Sequence, residues 1–203
     1  MKKITLVVVS LLMLTAIISA QNAAVQEAFK SSYELEKEGE YSKAINALKK
    51  VYDDNSYELN LRLGWLHYSS GLFTEAAAYY QKGIDLKPLS IEARLGYVLP
   101  TSALGNWEQV LTTYKAILEI DPNHSLTNYR TGLIYYGRQD YKTAERYIEK
   151  VLNLYPFDYD SLLMLGWTKY FLGKRNEAKV LFNKVLLYSP EDDSALEGLD
   201  LVK

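Results

Sequence analysis

Pro88, Pro122, Pro156 and Pro190 stand 34 residues apart without exception, and a second comb runs in register with them. Gly71, Gly105 and Gly173 share one position of that period, and Gln139 holds it in the remaining copy. A fixed period of this length is what stacked helical hairpins produce, because each hairpin leaves an apolar face that only the next copy can cover. The copy from Leu126 to Pro156 shows the unit most plainly. Its first helix is expected from Leu126 to Gly137, with Gly132 in the middle, followed by the polar turn Gly137-Arg138-Gln139-Asp140. Its second runs from Tyr141 to Leu154, with Ala144, Ile148 and Val151 on one face, and Pro156 stops it.

The same punctuation sets five repeats, at about 25–56, 57–88, 89–122, 125–156 and 159–190, followed by a C-terminal cap at 191–203. The expected helix pairs are Val25–Glu38 with Tyr41–Tyr52, Tyr57–Ser70 with Phe73–Leu86, Ser90–Leu104 with Trp107–Ile120, and Tyr159–Leu172 with Asn176–Tyr188 around the copy above. Short joints force the helices of each pair antiparallel. Asp53-Asp54-Asn55-Ser56 and Glu191-Asp192-Asp193-Ser194 are turn clusters placed to cap the helices that follow, the last being Ala195 to Val202. The third copy has nine residues from Gly96 to Gly105 where the second has seven from Gly64 to Gly71. Pro100 falls in this longer stretch and lacks an amide donor, so a kink or an early helix end is expected there.

The first twenty residues have another character. Lys2 and Lys3 precede an apolar run from Ile4 to Ile18, and Ser19-Ala20 offers small residues before polar Gln21-Asn22. That layout predicts a secretory leader cleaved near Ala20. The run is shorter than the roughly 18–20 residues needed to span a bilayer, which weighs against an uncleaved anchor. The expectation is an exported bacterial protein, periplasmic or secreted. Without the leader, 21 basic residues face 25 acidic ones, a net charge of −4, so no global field recruits nucleic acid. Two histidines and no cysteine rule out thiolate chemistry, disulfides and a cysteine-rich zinc site.

The spacing inside each copy carries a family resemblance. Leu63-Gly64-His67, Ala76, Tyr80 and Pro88 recur as Thr131-Gly132-Tyr135, Ala144, Ile148 and Pro156, and again as Leu165-Gly166-Lys169, Ala178, Phe182 and Pro190. Leu95-Gly96-Leu99, Val110, Tyr114 and Pro122 follow the pattern more loosely, and the first copy keeps Ala44 and Leu48. This resembles the tetratricopeptide repeat family over about 165 residues. The resemblance implies an all-α, right-handed superhelical solenoid of about five helix-turn-helix repeats with a short capping helix. One departure is consistent: the family's Trp four residues before the Gly is replaced by Asn60, Glu92, Asn128 and Leu162.

No paired carboxylates, nucleophile set, phosphate loop or metal-ligand spacing emerges, so no enzyme, cofactor or metal is expected. His67 falls at a packing position, and Glu34, Glu36, Glu38 and Glu40 read as a solvated face. A ladder emerges instead. With the Gly of each copy (Ser32 in the first) set as position eight, helix geometry turns positions 6 and 9 away from the second helix. Position 6 reads Lys30, Arg62, Arg94, Arg130 and Met164; position 9 reads Tyr33, Trp65, Tyr97, Leu133 and Trp167. The resemblance implies that this face lines a concave groove for extended peptides or partner helices.

The expected ligand groove is therefore Lys30, Tyr33, Arg62, Trp65, Arg94, Tyr97, Arg130 and Trp167. Arg and aromatic residues dominate binding hot spots, and exposed cations there would contribute little to folding. The alternative is that a cation and an aromatic three apart stack on each other within one helix. The groove predicts a protein or peptide partner, with an acidic or C-terminal segment suiting the arginines. An aromatic-lined carbohydrate surface, a structural subunit of an envelope complex and a homo-oligomer remain open.

Overall fold

The computed structural model describes residues 22–203, and every regular element among them is an α-helix. Helix α1 covers residues 22–37. It is followed by α2 (Tyr41–Lys49), α3 (Tyr57–Ser69), α4 (Phe73–Leu86), α5 (Ile91–Ala103) and α6 (Trp107–Ile120). Then come α7 (Ser125–Gly137), α8 (Tyr141–Leu154), α9 (Tyr159–Phe171), α10 (Arg175–Tyr188) and α11 (Asp193–Leu201). The expected leader, 1–20, lies outside the described residues. The chain divides between Trp107 and Glu108 into two compact units.

Local chemistry fixes the helix ends. Five of the odd-numbered helices start on a side chain that accepts from the third amide onward: Ser56, Ser90, His124, Asp158 and Asp192 accept from Leu59, Ala93, Thr127, Ser161 and Ala195. Each such cap contributes about 1 kcal/mol by satisfying one orphan donor. The turns inside the hairpins need a left-handed residue, and Gly39, Gly71, Gly105 and Gly173 supply it with φ between 72° and 80°. Gln139, the exception in the comb, adopts φ 61° in its place.

Two expectations need correction. The second helix of the first hairpin ends at Lys49, before the expected Tyr52: Val51 and Tyr52 donate to the carbonyls of Leu48 and Lys49, three residues back, and tighten the last turn. Of the kink or early end expected at Pro100, the early end does not occur, since α5 continues to Ala103. Past it, Thr101 Oγ1 donates to the Tyr97 and Val98 carbonyls, and the Ser102 hydroxyl donates to Val98.

Packing rests on rings set against glycines. In the first unit Tyr80 of α4 lies between Gly64 of α3 and Gly96 of α5; a Cβ on Gly64 would come 3.0 Å from the ring, and one on Gly96 only 2.2 Å from it. In the second unit Phe182 of α10 fills the same role between Gly166 of α9 and Gly198 of α11, and Ile148 of α8 abuts Gly132 of α7. Ala44, Ala76, Ala144 and Ala178 are fully buried at the matching position of four second helices, where a small side chain lets backbones approach, and Val110 is fully buried at that position in α6.

Buried polar groups tie consecutive repeats. Asn60 stands at the family's Trp position; its amide donates to the carbonyls of Asp54 and Ser56 and its oxygen accepts from the Tyr52 hydroxyl. Asn128 likewise holds the carbonyls of Pro122 and His124. An asparagine here pins the preceding turn.

Gly132→Leu would place a side chain on Ile148 Cγ1, which a Cβ already approaches at 2.6 Å. The expected cost is about 1–3 kcal/mol, with unfolding spreading into neighbouring repeats. A thermal melt equal to wild type would contradict this packing.

Candidate functional site

In the first unit the exposed side of α1, α3 and α5 encloses an open cleft of about 470 Å³. Phe29, Tyr33, Tyr57, Trp65 and Tyr80 give it an aromatic lining; Arg62, Glu58 and Glu92 supply charge. Tyr33 and Trp65 stay 51% and 40% exposed, so large apolar rings face solvent where core packing does not need them.

Arg62 is the most constrained of these groups. It is 7% exposed; Nε donates to Ser32 Oγ at 3.0 Å, Nη1 pairs with Glu36 Oε2 at 2.6 Å, and the guanidinium lies 3.8 Å from the centre of the Tyr33 ring. Its Nη2 has no acceptor among the described residues. Ser32 makes this possible, because its hydroxyl occupies the place that glycine holds in later repeats. Glu36 also accepts from Trp65 Nε1 at 2.5 Å, so one carboxylate positions both an arginine and a tryptophan of the cleft.

This corrects two expectations. Arg62 is not a free groove cation, and it stacks on Tyr33 of the preceding repeat, not on Trp65 of its own helix. Side chains on a helix lean toward its N-terminus, which carries Arg62 across to α1. Glu36 is not a merely solvated acid either; its side chain is 23% exposed and serves as the counter-ion.

The other expected groove residues are placed differently. Lys30 is exposed on α1 and outside the cleft lining. Arg94 is half-buried and donates through Nη1 to the Ser90 carbonyl at 3.1 Å; Tyr97 is half-buried on the same helix. In the second unit Arg130 is exposed on α7. Trp167 is half-buried, donates to Ser194 Oγ at 2.9 Å and meets Phe182 edge-on at 5.2 Å, so it joins α9 to the last helix. The structure thus brings together Tyr33, Arg62 and Trp65 in one cleft.

Glu58 and Glu92 are cleft residues that the residue ladder does not reveal. Glu92 accepts from the Tyr57 hydroxyl at 2.9 Å, and burial, ahead of this neighbouring carboxylate, raises the Tyr57 pKa above its ordinary value. The Glu58 carboxyl sits below the usual range, held by its own backbone amide and then by Lys87. That Lys87 ammonium lies 3.5 Å from Glu58 and 4.1 Å from the Tyr57 ring centre. The available signal was spacing: Glu58 lies one helical turn before Arg62.

Two buried basic groups have structural roles. His67 is 3% exposed, donates from Nδ1 to the Leu63 carbonyl at 2.7 Å and packs on Tyr79, and burial lowers its pKa. Lys169, at the equivalent position in the fifth repeat, is 5% exposed and pairs with Glu145, Glu149 and Glu177. Burial alone would pull its pKa down, but the three carboxylates hold it above the ordinary lysine value. Among the described residues no His, Cys, Asp and Glu cluster could hold a metal ion, and no helix is long and apolar enough to cross a membrane.

Known proteins share this architecture. Family models described as tetratricopeptide repeat match residues 29–91, and 127–158 with 160–192. Intraflagellar transport protein 70A of Danio rerio is 30% identical over 166 residues, 78% of this chain and 25% of that protein. The chain spans about a quarter of the length of the curated relatives it matches. A tetratricopeptide repeat protein from Parabacteroides merdae superposes with a TM-score of 0.75 at 24% identity, covering 88% of this chain and 72% of that one. YrrB, described as a tetratricopeptide repeat protein with an unusual peptide-binding site, gives 0.70 at 15% identity, covering 89% and 98%.

Arg62→Ala would leave Glu36 without its counter-ion in a mostly buried position. The expected loss is about 3 kcal/mol of stability. Arg130→Ala, at an exposed site with no ion pair among the described residues, should fall within about 0.5 kcal/mol of wild type. Urea unfolding midpoints of the two variants check the contrast; equal midpoints would contradict it.

Proposed function

The chain belongs to the tetratricopeptide repeat family, and from that premise we propose that it is a non-catalytic scaffold holding an extended segment of a partner protein in the cleft of α1, α3 and α5. The observation that carries this is the pair of exposed rings, Tyr33 and Trp65, fixed beside a buried, ion-paired arginine. Rigid aromatic side chains pre-placed in a cleft bind with little ordering cost, the usual property of an interaction hot spot. YrrB, of similar fold, is described as binding peptide, which supports the same reading for this chain.

The leader-like start, Lys2-Lys3 and the apolar run to Ile18, supports export, so the scaffold is proposed to act in the cell envelope or beyond it. Intact mass of the exported protein is expected to place the first residue at Gln21; retention of residues 1–20 would favour an anchor.

The cleft is tested by retention of capped random hexapeptides, and of a neutral cello-oligosaccharide, on the immobilised chain. Peptides are expected to be retained and the sugar not. Trp65→Ala should reduce peptide retention about tenfold or more while the circular dichroism melt stays near wild type. Unchanged retention by Trp65→Ala would move the binding surface elsewhere. Retention of the sugar alone would favour a carbohydrate surface.

A further inference from the structure

The charges around the cleft narrow what can fill it, and we propose that its occupant is an extended peptide carrying a lysine or arginine whose charged head sits against Glu92. The assignment presupposes that the cleft is the peptide site.

The first observation is the state of the cleft's one arginine. Arg62 is 7% exposed; Ser32 holds its Nε, Glu36 neutralises it at Nη1, and Nη2 is closed to solvent, so Arg62 offers no free cation to an acidic ligand.

The second is the balance of charge. Glu36 neutralises Arg62 at 2.6 Å and Lys87 lies 3.5 Å from Glu58, which leaves Glu92 as the excess carboxylate of the lining. An anionic ligand would meet net negative charge there, so a cation fits and a carboxylate does not. This reverses the acidic segment that the arginine ladder suggests.

The third is an unmatched carboxylate. Glu92 accepts a hydrogen bond from Tyr57 but has no cation within ion-pair distance among the described residues. At the neighbouring Glu58 the chain shows how a cation sits on this wall: Lys87 lies over the Tyr57 ring at 4.1 Å and reaches Glu58 at 3.5 Å. A ligand lysine or arginine at Glu92 would use the same chemistry, its aliphatic stem on the aromatic lining and its head on a carboxylate. About 470 Å³ lies within the range of roughly 300–1,000 Å³ typical of ligand clefts.

The probes are capped hexapeptide mixtures, randomised over neutral residues, with one position fixed as Lys, Glu or Gln. Their retention is measured on the full chain and on its E92Q, E58Q/E92Q and W65A variants, at low and high salt. The Lys mixture is expected to be retained about tenfold more than the Glu mixture, as charge complementarity requires. E58Q/E92Q, or high salt, should reduce it to the Gln level, with an unchanged melt. Equal or stronger retention of the Glu mixture, lost in W65A, would keep the cleft as a peptide site and overturn the cationic occupant. A Lys preference that survives E58Q/E92Q would overturn it too. Retention unaffected by W65A, or retention of no mixture, would overturn both readings.

Discussion

A ring clamped between two glycines is the contact on which each unit of this protein depends. Tyr80 fills the space left by Gly64 and Gly96, and Phe182 that left by Gly166 and Gly198. In both cases the ring belongs to the second helix of one hairpin and touches the first helices of that hairpin and of the next structure along the chain. One aromatic side chain therefore closes a hairpin and attaches its successor. The missing Cβ atoms let the backbones approach the ring, so the contact tolerates neither a larger residue at the glycine nor a smaller one opposite it without a void.

The cleft follows from that arrangement. Tyr80 is 5% exposed, yet part of its ring contributes to the cleft lining, so the same side chain belongs to the core and to the candidate site. In the first repeat the comb is interrupted: Ser32 stands where later repeats have glycine, and its hydroxyl accepts Arg62. The substitution exchanges close packing for a polar clamp, and Glu36 completes it by holding Arg62 and Trp65 together. In the second unit Lys169, ion-paired to three carboxylates, holds the repeat position at which His67 packs in the first.

The 34-residue period made the helices legible because prolines and turn glycines are forced by local backbone geometry, and the packing glycines recur with the repeat because each hairpin makes the same contact. Even the one irregular turn residue, Gln139, stands where the comb has glycines elsewhere, and it adopts their left-handed conformation. The cleft was legible only in part. Tyr33, Arg62 and Trp65 were visible as a periodic pattern, but the partners of an arginine are set by contacts between repeats, and a single-helix projection cannot show them. Glu36 appeared to be one of four alternating surface acids until α3 placed Arg62 beside it. Trp167 has the same register as Trp65, yet it packs against Phe182 and Ser194 because the last helix stands where another repeat would. Glu92 shares the register of two buried asparagines, and its opposite role at the cleft could not be read from position alone.

The claim that a shared ring joins successive hairpins is tested most directly by a double-mutant cycle between Tyr80 and Gly96, read by urea unfolding. Gly96→Ala should destabilise the chain by about 1–3 kcal/mol, since its methyl would come 2.2 Å from the Tyr80 ring. In a Tyr80→Leu background, with that ring removed, the same substitution should be close to neutral, giving a coupling of about 1–2 kcal/mol. Additive effects of the two substitutions would contradict the account, because they would mean that the ring and the glycine do not meet.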